Sequence, residues 1–126
     1  MVLVDTSVWV RFLADRAPYA AELDRLLASG EVVGHEFVYG ELLVGDAGGR
    51  KQLLADHALM RQAPRVAHAE VVEFVRHHRL HGKGIGWIDV HLLASALIAG
   101  ARLWTADASL SAAARQVGIR YDADLV

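Results

Sequence analysis

Gly86-Trp-Ile-Asp89-Val-His-Leu-Leu-Ala-Ser-Ala-Leu-Ile-Ala-Gly100, continued by Arg102-Leu-Trp-Thr105-Ala-Asp107, decides how the rest of the chain is read. From Val90 to Ala99 the residues are apolar nearly all round, which predicts a helix lying between two other layers. Asp89 falls in its first turn. Gly100 suits the position just past the end, where a residue without Cβ turns left-handed cheaply. Arg102 to Thr105 then predicts a short strand, and Asp107 follows just beyond it. Two acids are thus expected at the edge of buried scaffolding, the setting that a metal or phosphate site requires. Taken alone, Asp89 is better explained as an N-terminal charge favoured by the helix dipole. The other acids of the chain change that balance.

Working outward, Val2-Leu3-Val4 reads as a buried strand that hands over to a helix at Asp5-Thr6-Ser7. Thr6 or Ser7 can cap that helix, and so can Asp5 itself. Ligands of open α/β sheets bind at this carboxyl edge of the strands. Tyr19 to Ser29 reads as a helix closed by Gly30, and Glu31 to Gly34 as a second short strand. His35 or Glu36 opens the next helix, Phe37 to Val44. Glu41 lies there among Phe37, Val38, Leu42 and Val44, so it is expected to be drawn inward. Further helices are expected at 48–60, 68–81 and 109–117, with a weak strand or extended link at 63–67 and a last strand at 119–121. Strands alternating with helices predict a three-layer α/β/α domain with a mainly parallel sheet.

At 126 residues the chain is long enough for one domain, 1–126, with a real core. No apolar run approaches the ~20 residues needed to cross a bilayer, so no membrane association is expected. The start, Met-Val-Leu-Val-Asp5, lacks the basic and long apolar regions of a secretory signal. Cysteine is absent, which excludes disulfides and thiolate metal sites and is consistent with a cytoplasmic protein. A formal net charge of −2 argues against a protein that coats nucleic acid. It leaves room for an enzyme that meets RNA at a small site through metal ions.

Four acids stand out: Asp5, Glu41, Asp89 and Asp107. Right-handed crossovers would bring them face to face. Carboxylates about 4 Å apart repel by about 4 kcal/mol per pair at an effective dielectric of 20. A fold does not gather them without a counter-ion, and no lysine lies near them in sequence. All-oxygen ligands favour a hard divalent cation, Mg²⁺ or Mn²⁺.

At these residues the chain resembles the PIN-domain nucleases, and especially the VapC toxins of bacterial toxin–antitoxin pairs. The matching segments are Val2-Leu-Val-Asp5-Thr-Ser-Val-Trp9, Gly40-Glu41-Leu-Leu, Gly84-Ile-Gly-Trp-Ile-Asp89-Val-His-Leu-Leu-Ala-Ser-Ala96 and Leu103-Trp-Thr105-Ala-Asp107. Each is weak alone; in this order over nearly the whole chain they are specific. The resemblance implies a PIN-like fold, endoribonuclease activity dependent on Mg²⁺ or Mn²⁺, a homodimer and a VapB-type antitoxin partner. It also implies in-line hydrolysis leaving a 5′-phosphate and a 3′-hydroxyl. Carried over by position, Asp5 and Asp89 would be the main metal ligands, Glu41 and Asp107 would complete the site, and Thr6 and Thr105 would orient ligands or water.

The basic residues Arg76, Arg79 and Lys83, with His77, His78 and His81 between them, read either as phosphate contacts for RNA or as a cationic helix end favoured by its dipole. His77 and His81 lack the acid of an H-E-x-x-H site, so zinc is not expected. Trp9 and Trp104 are expected in the core. Trp87 is expected there too, with stacking on a base as the other reading. Two other functions compete. An aspartyl phosphatase or phosphotransferase would need a second Asp two residues after Asp5, where Ser7 stands. A non-catalytic protein-binding module would use the acids only for stability.

Overall fold

The computed structural model describes residues 1–123. At its centre is strand β1 (Val2–Val4), whose three residues are all buried, as an apolar strand covered on both faces must be. On one side it pairs in parallel with β2 (Val32–Val33), Leu3 opposite Val33. On the other it pairs in parallel with β3 (Arg102–Trp104), Leu3 opposite Leu103 and Val4 opposite Trp104. The order β2-β1-β3 makes a parallel sheet with helices around it, the expected three-layer α/β/α architecture. Both edges are extended by a single bridge, Gly34 with Gln62 and Leu103 with Arg120. The strand expected at 119–121 is therefore reduced to that bridge, with Leu103 N donating to Ile119 O at 2.7 Å and Tyr121 N to Leu103 O at 2.8 Å.

Seven helices connect or cover these strands among the described residues: α1 (Thr6–Leu13), α2 (Tyr19–Ala28), α3 (Glu36–Val44), α4 (Lys51–Leu59), α5 (His68–His78), α6 (Trp87–Ala99) and α7 (Ala108–Gln116). None is long and apolar enough to cross a membrane. The apolar helix anticipated from the sequence is α6, and Val90 through Ala96 are buried without a break. Its two faces have different partners. Leu92, Leu93 and Ala96 join the main core with β1 and β3, while Val90 and Ala94 pack with Val66 and Val71 under α5. Gly100 ends it at φ +67°, the left-handed value expected. The last turn departs from the all-buried expectation, for Ile98 is 60% exposed.

Two helix limits differ from the expected ones for backbone reasons. The helix expected from Gly48 begins at Lys51, because Gly48 and Gly49 sit at φ +123° and +95°, values a right-handed helix does not use. The helix expected to reach His81 stops at His78, where Arg79 turns left-handed at φ +54°. His81 thus lies off the helix, and the i,i+4 relation of His77 to His81 does not exist.

Candidate active site at the sheet's carboxyl edge

With β1 in the middle, the path from β1 to β2 and the path on to β3 leave it in opposite directions. The carboxyl ends of β1 and β3 therefore flank a topological switch point, where open α/β sheets leave a crevice. Asp5 follows β1 there, and Thr105 and Asp107 follow β3. The Asp5 amide still belongs to the ladder, donating to Trp104 O at 2.9 Å. Its side chain is buried, but it does not cap α1. Instead Oδ2 accepts two hydroxyls, Ser7 Oγ at 2.7 Å and Thr105 Oγ1 at 2.8 Å. Each hydroxyl has one proton, so both protons point at Asp5. The 3.2 Å approach of Ser7 Oγ to Thr105 Oγ1 is then a contact between acceptors. Ser7 Oγ also accepts the Ala106 N–H at 2.9 Å, and Thr105 Oγ1 the Asp107 N–H at 3.0 Å. The pair ties the start of α1 to the turn after β3.

Ser7 is the member of this group that the sequence offers only as a helix cap. Asp5 is two positions away, but Thr105 and Ala106 lie about a hundred positions off, and only the parallel pairing of β1 with β3 signals that they meet. Thr6 points elsewhere: its hydroxyl donates to Glu41 Oε1 at 2.6 Å. Glu41 is exposed, which corrects the expectation that it is drawn inward. Its apolar neighbours misled because α3 itself exposes apolar residues, Val44 being 88% exposed. Thr6 nevertheless fastens the Glu41 carboxylate beside the first turn of α1.

Asp89 stands at the third position of α6 and accepts the Gly86 N–H at 3.0 Å, closing the helix entrance. Burial pushes its carboxyl above the usual range, and the charges of Asp5 and Asp107 push it the same way; the Gly86 bond opposes them. Asp5 and Asp107 are thus near enough for their charges to act on Asp89. Asp107, exposed, caps α7 by accepting Leu110 N–H at 2.9 Å. The glycine-rich loop before α6 lies against the same turn, for a Cβ on Gly84 would meet Ser109 Oγ at 3.5 Å.

The ion pairs among the described residues use Glu22, Glu31, Glu36, Glu73 and Asp122, and none uses the four acids. The donor set is all oxygen, carboxylates backed by hydroxyls, which suits a hard divalent cation. It is not already closed: among the described residues no three His, Asp or Glu side chains are gathered tightly enough to grip an ion. Each acid accepts from its own donor: Asp5 from Ser7 and Thr105, Glu41 from Thr6, Asp89 from the Gly86 N–H and Asp107 from the Leu110 N–H. The chemistry of the set fits a divalent ion, and its geometry is open.

Among the described residues Arg76, Arg79 and Lys83 form no ion pair with this group. Arg76 is exposed and pairs with Glu73 at 3.3 Å, Arg79 occupies the left-handed turn, and Lys83 lies exposed on the loop leading to Asp89. Trp9 and Trp104 are buried as expected, whereas Trp87 is 43% exposed, which corrects its assignment to the core.

A buried aspartate at the switch point held by two hydroxyls, with Asp89 at a helix mouth under its charge and that of Asp107, belongs to a recognisable class of fold. The PIN domain pattern matches residues 2–116, and the chain belongs to that family. More particularly, it is 43% identical over 122 residues to the protein named Ribonuclease VapC32 in two strains of Mycobacterium tuberculosis, CDC 1551 / Oshkosh and ATCC 25618 / H37Rv, covering 94% of this chain and 94% of each relative.

Proposed function

We propose that the chain is a metal-dependent endoribonuclease toxin of the VapC kind, hydrolysing RNA phosphodiester bonds and restrained by a VapB-like antitoxin. The observation that carries this reading is the set of acids at the switch point: the charges of Asp5 and Asp107 act on Asp89, and among the described residues no cationic side chain is paired with any of the three. The similarity to relatives named as a ribonuclease supports it. Asp5 and Asp89 would hold Mg²⁺ or Mn²⁺, with Glu41 and Asp107 completing the set. A bound divalent ion supplies activation of water and stabilises charge on the leaving 3′ oxygen.

The protein's own part is orientation. Ser7 and Thr105 direct their protons to Oδ2 of Asp5, and no hydrogen bond among the described residues engages its Oδ1. Thr6 holds Glu41 in the same way. Arg76, Arg79 and Lys83 would contact RNA phosphates beyond the acids. The protein would act as a cytoplasmic homodimer.

Labelled RNA incubated with purified protein tests the reading. Cleavage is expected only with Mg²⁺ or Mn²⁺, is abolished by EDTA, and leaves 5′-phosphate and 3′-hydroxyl ends. Robust cleavage by the metal-free protein removes the basis of the proposal. For the antitoxin, a basic side chain reaching the acids would replace the cation and suppress activity. Co-expression with the adjacent gene should yield a complex inactive on RNA; two products that purify separately count against that partner.

A further inference from the structure

Of the three tryptophans, Trp9 and Trp104 are at most 3% exposed, while Trp87 leaves 43% of its surface open. Trp87 is not a loose surface ring. His91 meets it edge-on, with centroids 4.9 Å apart and planes at 89°, and His68 lies 5.1 Å away at 53°. His91 is itself buried and held edge-on by Phe37 at 5.0 Å. The indole is therefore braced before anything binds it, which lowers the ordering cost of a stacking partner. It is also placed by the same bond as an acid. Trp87 opens α6 directly after Gly86, whose N–H is held by Asp89 Oδ2. Its neighbour Ile88 lines a groove of about 500 Å³ with Phe37, Gly40, Glu41 and Val44. Trp87 and Asp89 thus share the first turn of α6, the indole on the flank toward α5, and Ile88 between them lines the groove with Glu41.

We infer that Trp87 is a stacking site for a nucleobase of a single-stranded segment whose neighbouring phosphate lies at the acids. The inference rests on the endoribonuclease reading and deepens it. Phosphates and bases alternate along a strand, so a phosphate held at Asp5 and Asp89 through a divalent cation would present an adjacent base to the rim. An exposed aromatic ring holds any base through its π-face. The charge of the chain points the same way. A net charge of −2 offers little long-range attraction to a polyanion, so stacking is needed to hold the strand. A duplex, whose bases are already stacked, should bind poorly.

The test compares an intact single-stranded oligoribonucleotide with an abasic strand of equal length, using the full chain with Ca²⁺ in place of Mg²⁺. Acrylamide should quench an exposed indole in the RNA-free protein, and the intact strand should shield it. Trp87→Phe should lose that signal and keep most of the affinity. Trp87→Ala should weaken the intact strand roughly tenfold, within the range for loss of one base–aromatic stack. It should leave the already weak binding of the abasic strand unchanged. Equal loss for both strands, no loss for either, or no binding of any strand overturns the inference. So does an indole that acrylamide cannot reach in the free protein, which would assign Trp87 to a contact between protein chains. Metal-dependent cleavage of RNA by Trp87→Phe separates the two readings: if RNA is cut without stacking, only the Trp87 inference fails.

Discussion

Asp89 carries two burdens that a single substitution separates. It closes the entrance of α6 through Gly86, and it holds a charge disfavoured by burial and by Asp5 and Asp107. Asp89→Asn keeps the size and an oxygen for the Gly86 N–H while removing that charge. A carboxyl raised in the folded state is least harmful when protonated. Its destabilisation is absent below the unfolded value of about 3.9 and develops as pH rises through the folded value. Near neutrality in EDTA, the variant should therefore melt at or above wild type. With Mn²⁺ the order reverses. An ion at 100 times its dissociation constant is worth about 2.7 kcal/mol to the folded state, on the order of ten degrees for a domain of this size, and the variant should lose most of that gain. Paired melting curves in EDTA and in Mn²⁺ decide the matter. A variant that melts far below wild type in EDTA reduces Asp89 to a structural cap.

The elements differ in how plainly they are written in the chain. β1 and α6 are legible because each is largely a run of apolar residues that only a covered position explains, Gly100 marks the end of α6, and β3 follows it with Leu103 and Trp104 buried after the exposed Arg102. The edges are less so. Gln62 and Arg120 join the sheet through one bridge each, and pairing of that length depends on the partner strand more than on local sequence. In the site, Asp5, Asp89 and Asp107 could be read from their places after strands and at a helix mouth. Ser7 could not, since its role comes from a turn across the sheet. The end of α5 shows the same limit, for nothing in Arg76-His-His-Arg79 announces a left-handed residue. Arg79 at φ +54° carries a penalty that glycine avoids, about 1–2 kcal/mol. Arg79→Gly should thus raise the melting temperature by several degrees. If Arg79 also contacts RNA phosphate, KM for RNA should rise in the same variant while kcat holds. An unchanged or lowered melting temperature would mean that the long side chain repays its strained backbone in packing.

At the scale of the whole molecule, three buried histidines make the fold sensitive to mild acid. His35 caps α3 with Nδ1, which accepts the Phe37 N–H at 3.0 Å, so its own proton sits on Nε2, 2.9 Å from Ser95 Oγ. Protonating Nδ1 would destroy that cap, and burial holds the ring down to about 4. His57 and His91 are lowered as well, burial being the largest cause for each. A histidine depressed in the folded state gives stability that is complete above its unfolded value, about 6.5, and lost as pH falls toward the folded one. For His35 alone the loss is about 2 kcal/mol by about pH 5. Asp89 works in the opposite direction, so its relief partly offsets the histidines only as pH falls toward its own titration range. His57 makes the clearest probe, because both its ring nitrogens are buried without partners among the described residues while the ring packs edge-on against Trp9 at 5.6 Å. Phenylalanine preserves that packing and strands no polar atom, so His57→Phe should be at least as stable as wild type near neutrality. It should also lose less stability than wild type between about pH 7 and pH 5, read by urea denaturation at each pH. Parallel losses in the two proteins would mean that His57 is not among the groups through which acid unfolds the chain.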